Sequence, residues 1–376
     1  MKIVLWQNMP SLHLSPLIYN LSLTSENTII CVFEKKIYAY REKMGWYVPD
    51  LGKTRMLYFQ EIEQKENKCL FNDAESYHVF CGLFSISFFL GPFRKLIRKR
   101  AKIVFLTECG NATTKVKKYL SNIKWFTFLK VYDKHILAYL AMGRKGVNFY
   151  NSLGVGQHKI YPFAYQVNNS YKIFNRYAPC QNDKPLRLLY IGQFQRRKGI
   201  DILLNALSLL KECNITLDLI GHGPEMVALN KQANALNIAN KLKFLGMIKN
   251  SEINSYILQY DCLVIPSRHD GWAAVTNEAI QCGIPAIVSD GAGSVDLVDS
   301  TGAGRSFHSG NYIELSKIIK TFYDKPELLL SCHDRCKLIA QSISGESLSN
   351  YLKNILMYLN NSGNERPVAP WESFTV

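Results

Sequence analysis

The chain has 376 residues and a mass of 42.9 kDa, with 45 Lys and Arg against 30 Asp and Glu and a formal net charge of +15. Hydrophobic residues make up 47% and charged residues 20%, which excludes a disordered chain. The length fits two domains of ordinary size, each able to bury its own core.

The charge is divided unevenly. Residues 1–180 hold 26 Lys and Arg against 11 Asp and Glu, whereas residues 181–376 hold 19 of each. Two units with different partners are expected, one partner being anionic: nucleic acid, a membrane surface or a phosphorylated substrate. Met1–Asn8 lacks the apolar core and cleavage site of a signal peptide. The most apolar window, Val79–Phe93, is interrupted by Gly82, Ser85, Ser87 and Gly91 and falls short of the roughly 20 residues of a spanning helix. The ten cysteines are scattered without Cys-x-x-Cys, so a reducing cytoplasm is expected. Cys332-His333-Asp334-Arg335-Cys336 sets two thiols on one helical face without a second ligand pair. It reads as structural, and no metal is expected.

In chain order, strands are expected at Lys2–Trp6, Thr28–Phe33, His78–Leu83, Lys102–Thr107, Ile136–Leu140 and Lys159–Ala164. They continue at Leu186–Ile191, Thr216–Ile220, Lys243–Leu245, Cys262–Pro266 and Ala286–Ser289. Near-continuous apolar runs suit strands buried on both faces, hence parallel sheets flanked by helices. Between them Ile200, Leu203, Leu204, Leu207 and Leu210 follow the spacing of a core-facing helical stripe. The fold class expected is α/β, with two doubly wound, Rossmann-like domains. The polar stretch Asn175–Pro185 is the expected linker, giving domains at 1–178 and 184–360. The tail 361–376, with Trp371 and Phe374, is expected to pack on the first domain.

The second half carries the chemistry. Strand Leu186–Ile191 runs into Gly192-Gln193-Phe194-Gln195-Arg196-Arg197-Lys198-Gly199 and then a helix. A loop at the carboxyl end of a parallel strand, opening onto a helix N-terminus, is where open α/β sheets bind anions. Arg197 and Lys198 can neutralise phosphate there; a solvated loop with incidental charges has the same composition. Gly221-His222-Gly223-Pro224-Glu225 ends another strand, its glycines permitting positive φ or close approach to the backbone. In Cys262–Asp290 a buried strand ends at Pro266-Ser267, Asp270-Gly271 turn, and a helix runs from about Ala274 to Gly283. Asp270 precedes that helix and Glu278 lies about one turn inside it, with helical N–H groups between. Such a place suits a nucleotide-sugar: diphosphate on N–H groups and cations, carboxylates on the hydroxyls. A helix cap at Asp270 and a solvated Glu278 are the plain alternatives.

Residues 186–298 resemble the donor-binding domain of retaining glycosyltransferases of the GT-B fold, in the large family 4 group. The likeness is ordered along the chain: Tyr190–Gly199 as the first phosphate loop, Gly221–Glu225 as the central glycine turn, Phe244-Leu245-Gly246 as the base-side strand, and Asp270-x7-Glu278 with Gly283–Pro285 as the Glu-x7-Glu element. A weaker likeness extends through Asp133–Tyr165. The resemblance implies two domains facing each other across a cleft. It implies that Glu278 binds the ribose and Asp270, beside Gly271 and Trp272, the donor sugar. Lys198 and the amides of Ala273, Ala274, Val275 and Thr276 would hold the diphosphate. Gly192, Gln193, Arg197, Gly221 and Gly223 would border it, and Gly246, Met247 and Ile248 would line the base. Two departures stand out: Gln193 replaces the common Arg, and Asp270 is one methylene shorter than Glu.

In that fold the first domain takes the acceptor. The loop Met9–Pro16 lacks the family's glycine pair, and His13 within it is one candidate for the reacting centre. Glu108, just past the strand Lys102–Thr107, is the other. Positive charge gathers in Arg94–Arg100 and in Lys115–Lys134, beside Phe80, Phe84, Phe88, Phe89, Phe93, Trp125, Phe126, Phe128 and Tyr132. Basic residues beside exposed aromatics suit an anionic bilayer; a solvated basic face over core aromatics is the alternative.

The function expected is a retaining, metal-independent transfer of a sugar to a glycan or lipid-diphosphate-linked glycan, in cell-surface polysaccharide biosynthesis. The donor would be a nucleotide-diphosphate-sugar, a co-substrate rather than a bound cofactor. A cytoplasmic protein resting on the inner membrane face, with no nucleic-acid partner, is implied. A nucleotide-sugar epimerase of similar fold is the enzyme alternative, and a basic nucleic-acid-binding protein the non-enzyme one.

Overall fold

The apolar runs of the first half pair into one seven-stranded sheet. A computed structural model describes residues 1–42, 45–62, 70–82, 89–108, 115–167, 184–360 and 365–374. The elements of the first half are β1 (Lys2–Gln7), α1 (Ser15–Leu23), β2 (Thr28–Phe33), α2 (Ala39–Glu42), β3 (Arg55–Tyr58), β4 (Tyr77–Cys81), α3 (Leu90–Arg98), β5 (Lys102–Thr107), α4 (Lys115–Tyr132), β6 (Ile136–Met142), α5 (Gly143–Ser152) and β7 (Ile160–Phe163). The strand order is β3-β2-β1-β4-β5-β6-β7, and every pair is parallel. Trp6, Phe80, Phe89, Phe93 and Phe105 are fully buried beneath the helices, with Trp6 and Phe80 stacked at 5.3 Å.

The second half continues with β8 (Leu186–Ile191), α6 (Ile200–Ser208), β9 (Ile215–Ile220), α7 (Met226–Ala235), β10 (Leu242–Gly246), α8 (Ile253–Ile257), β11 (Cys262–Ile265), α9 (Val275–Gln281), β12 (Ala286–Ser289), α10 (Val295–Asp299), β13 (Gly304–Phe307), α11 (Tyr312–Asp324), α12 (Pro326–Ile339) and α13 (Gly345–Asn360). Its sheet runs β10-β9-β8-β11-β12-β13, again all parallel. The stripe Ile200, Leu203, Leu204 and Leu207 is buried as the spacing requires. The α/β class with two doubly wound sheets is therefore as expected.

Two strands escape the sequence reading, and both are edges. β3 reads Arg-Met-Leu-Tyr, with Arg55 and Met56 exposed, and β13 reads Gly-Arg-Ser-Phe, with Arg305 exposed. An edge strand is paired on one side only, so it need not be apolar throughout. The strand expected at His78–Leu83 is Tyr77–Cys81, and Leu83 lies outside the described residues, as do Phe84, Phe88 and the linker up to 183.

The domain division also differs. The compact units are Met1–Asn168 with Ser344–Pro370, and Asn169–Ile343 with Trp371–Val376. Helix α13, expected in the second domain, belongs to the first. Its stripe Leu348, Leu352, Ile355 and Leu356 is fully buried, and the helix packs along α1. Pro16 sits where a side chain at Gly345 would go, and the Leu356 carbonyl accepts from the Tyr77 hydroxyl at 2.7 Å. The tail is split rather than docked whole on the first unit. Arg366 donates to the Ile160 carbonyl at 2.5 Å, whereas Arg335 holds the Phe374 carbonyl at 2.6 Å within the second unit.

Candidate functional site

In the second sheet the strand order reverses at β8, which lies between β9 and β11. Ligands of open α/β sheets bind beyond the carboxyl ends of the strands at such a point. The loops after β8 and β11 meet there. Lys198 Nζ forms an ion pair with Asp270 Oδ2, and both side chains are mostly buried, 17% and 13% exposed. The meeting needs Gly199, whose φ is +69° and where any Cβ would strike the Pro266 carbonyl at the end of β11. The Arg197 carbonyl accepts the amides of Arg268 at 2.8 Å and His269 at 3.2 Å. Arg268 forks onto Asp201 of α6 at 2.6 Å through both terminal nitrogens.

Arg197 is committed within the loop, donating from Nε to Gln195 Oε1 at 3.0 Å and weakly to the His269 carbonyl at 3.4 Å. The Gln193 carbonyl accepts from the Tyr190 hydroxyl at 3.1 Å. Gly221 and Gly223 have a structural reason of their own. A side chain at Gly221 would collide with the Gly192 carbonyl, and one at Gly223 with the Phe194 backbone. The glycine turn after β9 thus admits the loop after β8, and close approach of a ligand is not needed to explain it. Beyond β10, Met247 is 68% exposed and Ile248 half-buried against the sheet core.

Glu278 stands on the first turn of α9 and is buried. Burial, the only cause acting on it, pushes its carboxyl up to about 7. The turn before α9 is pinned from inside. Trp272 Nε1 donates to Asn277 Oδ1 at 2.7 Å, both side chains buried. The Trp272 carbonyl accepts the Ser294 amide at 2.8 Å, and the Asp270 amide donates to the Gly291 carbonyl at 3.0 Å. Ala273 is held at φ +71°, the left-handed region. One expectation is corrected here. The Thr276 amide is taken by the Ala273 carbonyl at 3.0 Å, so the run of open amides ends at Val275.

The first sheet has the same construction, its order reversing at β1 between β2 and β4. The His13 ring packs on Trp46 with centroids 5.5 Å apart, near perpendicular, and on Tyr165 at 5.8 Å. The Tyr165 hydroxyl donates to Glu108 Oε1 at 2.6 Å, and the Arg41 guanidinium lies 4.3 Å over the Trp46 ring. His13 and Glu108 are therefore joined through Tyr165, which follows β7. Burial, then the nearby Arg41 charge, lowers the His13 imidazole to about 4, so it is neutral at pH 7. Trp46, Arg41 and Tyr165 were not singled out from sequence, since nothing local marks them.

The Cys332–Cys336 segment lies in α12 and packs inward. Cys332 and Cys336 are buried in α12, Cys336 against the Ala303 carbonyl, and His333 Nδ1 donates to the Gly283 carbonyl at 2.6 Å. Among the described residues no helix is long and apolar enough to cross a membrane.

Among known proteins, the family-model match lies within the second unit. Residues 174–337 match the family model of the glycosyl transferases group 1. The matched stretch contains Lys198, Asp270 and Glu278. An uncharacterized glycosyltransferase of Methanocaldococcus jannaschii is 29% identical over 143 residues, 37% of this chain and 36% of that protein. An uncharacterized 41.2 kDa protein in the cps region of Klebsiella pneumoniae is 23% identical over 236 residues, 60% of this chain and 63% of that one. The chain thus spans between about a third and two-thirds of the length of these relatives. In fold, the whole chain resembles the crystal structure of Anabaena HepE in complex with UDP, with a TM-score of 0.72 at 15% identity, covering 95% of this chain and 100% of that one. The shared fold is GT-B.

Proposed function

We propose that the protein is a retaining glycosyltransferase that moves a sugar from a nucleotide-diphosphate-sugar to a glycan or lipid-diphosphate-linked glycan. The observation that carries this is the Lys198–Asp270 ion pair at the reversal point of the second sheet, with Glu278 buried on the first turn of the helix that follows Asp270. Glu278 accepts hydrogen bonds from the ribose. Asp270 holds the donor sugar. Lys198, with the amides of Ala273, Ala274 and Val275, takes the diphosphate. As the bond to the sugar breaks, negative charge grows on the leaving diphosphate, and an ammonium and fixed N–H groups stabilise it where it forms. His13 and Glu108 act on the acceptor side, with His13 as a neutral acceptor of a proton. The relative in a cps region supports polysaccharide biosynthesis as the setting, and the neighbour seen with UDP supports a uridine donor. The basic first unit is assigned to an anionic membrane surface carrying the acceptor.

The test is Glu278→Ala with a panel of nucleotide-sugars and a mixed glycan acceptor. Transfer falls by at least about a thousandfold while the thermal transition survives. An unchanged rate overturns the assignment. Turnover of the nucleotide-sugar with no acceptor present points to an epimerase, and duplex DNA held at physiological salt points to nucleic acid.

A further inference from the structure

Helix α4 has two faces, and only one is covered. Trp125, Phe128 and Leu129 are buried against the first sheet. On the other side Tyr119 is 67%, Leu120 59%, Ile123 44%, Phe126 48% and Val131 53% exposed. At 100° per residue these five fall within about two-fifths of the helix circumference, an arc they share with Thr127 and Lys130. Isolated exposed apolar residues need no explanation, but a contiguous row of large ones does.

Charge surrounds this row. Residues 90–132 contain eleven Lys and Arg and a single acid, Glu108. Lys124, Lys130 and Lys134 are exposed on and just beyond α4, and Lys130 Nζ lies 5.3 Å over the Phe126 ring. Helix α3 lies alongside, since Phe93 packs on Phe128 at 5.4 Å and on Tyr132 at 5.3 Å. It presents Arg94, Lys95 and Arg98 outward, continued by Lys99 and Arg100. An apolar row with Lys130 within it and further cations beside it, and with Asp133 at its end paired to Lys159, suits the boundary between anionic headgroups and acyl chains. A second protein copy would have to bring acids to it.

We propose that the outer face of α4, flanked by the basic residues of α3, is a docking surface for an anionic lipid bilayer. Tyr119, Leu120, Ile123 and Phe126 enter the headgroup layer, and the lysines and arginines meet its phosphates. The aromatic residues that do this are not those beside the basic run of α3: Phe89 and Phe93 are core. The proposal rests on the membrane part of the proposed function and not on the transfer chemistry.

The full chain is to be sedimented with vesicles of equal phosphatidylglycerol and phosphatidylcholine, and with phosphatidylcholine alone, at two salt concentrations. At least tenfold stronger binding to the anionic vesicles is expected. The Tyr119→Ser/Ile123→Ser/Phe126→Ser variant loses at least tenfold. Lys124→Glu/Lys130→Glu loses a comparable amount, together with much of the salt dependence. Both variants keep wild-type thermal stabilisation by UDP, which separates failure of this surface from failure of the donor site. Wild-type protein that ignores anionic vesicles, or a triple variant that binds them equally, overturns the proposal. A wild-type dimer that the triple variant makes monomeric assigns the face to a second copy instead and overturns it too.

Discussion

In the second unit the loops beyond β8 and β11 meet through charge: an ammonium on a carboxylate, with a second carboxyl buried close by in sequence on α9. In the first unit the connections beyond β1, β2, β5 and β7 meet through rings: His13 against Trp46 and Tyr165, with Tyr165 reaching Glu108. Both sheets reverse their strand order where this happens. One architecture therefore offers a charged place in one unit and an aromatic one in the other. The fold supplies the position in each case, and the side chains decide the ligand.

The largest expected effect sharpens the charged side. Burial raises Glu278 from 4.5 to about 7, so the folded state keeps a proton that the unfolded chain releases. That stabilisation is complete below pH 4.5 and is lost as pH rises through 7, a swing of roughly 3 kcal/mol. Glu278→Gln has no such loss. Its thermal midpoint should exceed that of wild type at pH 8 and converge on it at pH 4.5, while transfer collapses. Equal midpoints at both pH values remove the claim that the carboxyl is kept for function at a cost in stability. The same carboxyl, ionised by ribose contacts, makes UDP bind more tightly at pH 8 than at pH 6, with proton release visible by calorimetry in two buffers.

The next effect separates the two carboxylates. In the free protein Lys198 is paired with Asp270, so an incoming diphosphate competes for the ammonium. Asp270→Asn releases it. UDP should bind about fivefold to tenfold more tightly, from roughly 1 kcal/mol of pairing removed, although transfer drops. Titration of UDP onto the variant showing weaker binding would mean that the pair helps to build the anion site rather than occupying it.

On the ring side, Tyr165→Phe removes the 2.6 Å bond to Glu108 and keeps the ring beside His13. A loss of about 1 kcal/mol in stability is expected, with UDP affinity unchanged. A change in UDP affinity would break the division of labour between the units.

The charged place was legible in sequence because Lys198 and Asp270 lie in short runs that end strands, Gly192–Gly199 and Asp270–Glu278. The ring cluster was not, because its members stand far apart in the chain and only packing brings His13 to Tyr165. Edge strands β3 and β13 were hidden by their exposed positions. Helix α13 was placed in the wrong unit for the same kind of reason. Its apolar stripe announces a partner without saying which, and α1 packs along it. The two glycines after β9 were read as permitting positive φ or close approach; Gly221 has φ +142°, and the loop after β8 approaches both.

The smallest effect concerns how the charged side is held. Ala273 sits at φ +71°, where a Cβ costs roughly 1–2 kcal/mol. Glycine removes that strain but gives the unfolded chain about 0.5–1 kcal/mol of extra freedom. Ala273→Gly should therefore stabilise by no more than about 1.5 kcal/mol, read as a small rise in denaturant midpoint at constant slope. The turn itself should not loosen. Trp272 is bolted to Asn277 inside the core and its carbonyl is tied to Ser294, so the amides of residues 273–275 keep their direction and UDP affinity stays level. Ala273→Val adds a β-branch at the same φ and should lose more than 1 kcal/mol. A glycine variant that is destabilised instead would show that the side chain, through its contacts in the buried cluster around β11 and β12, contributes more than the backbone strain takes away.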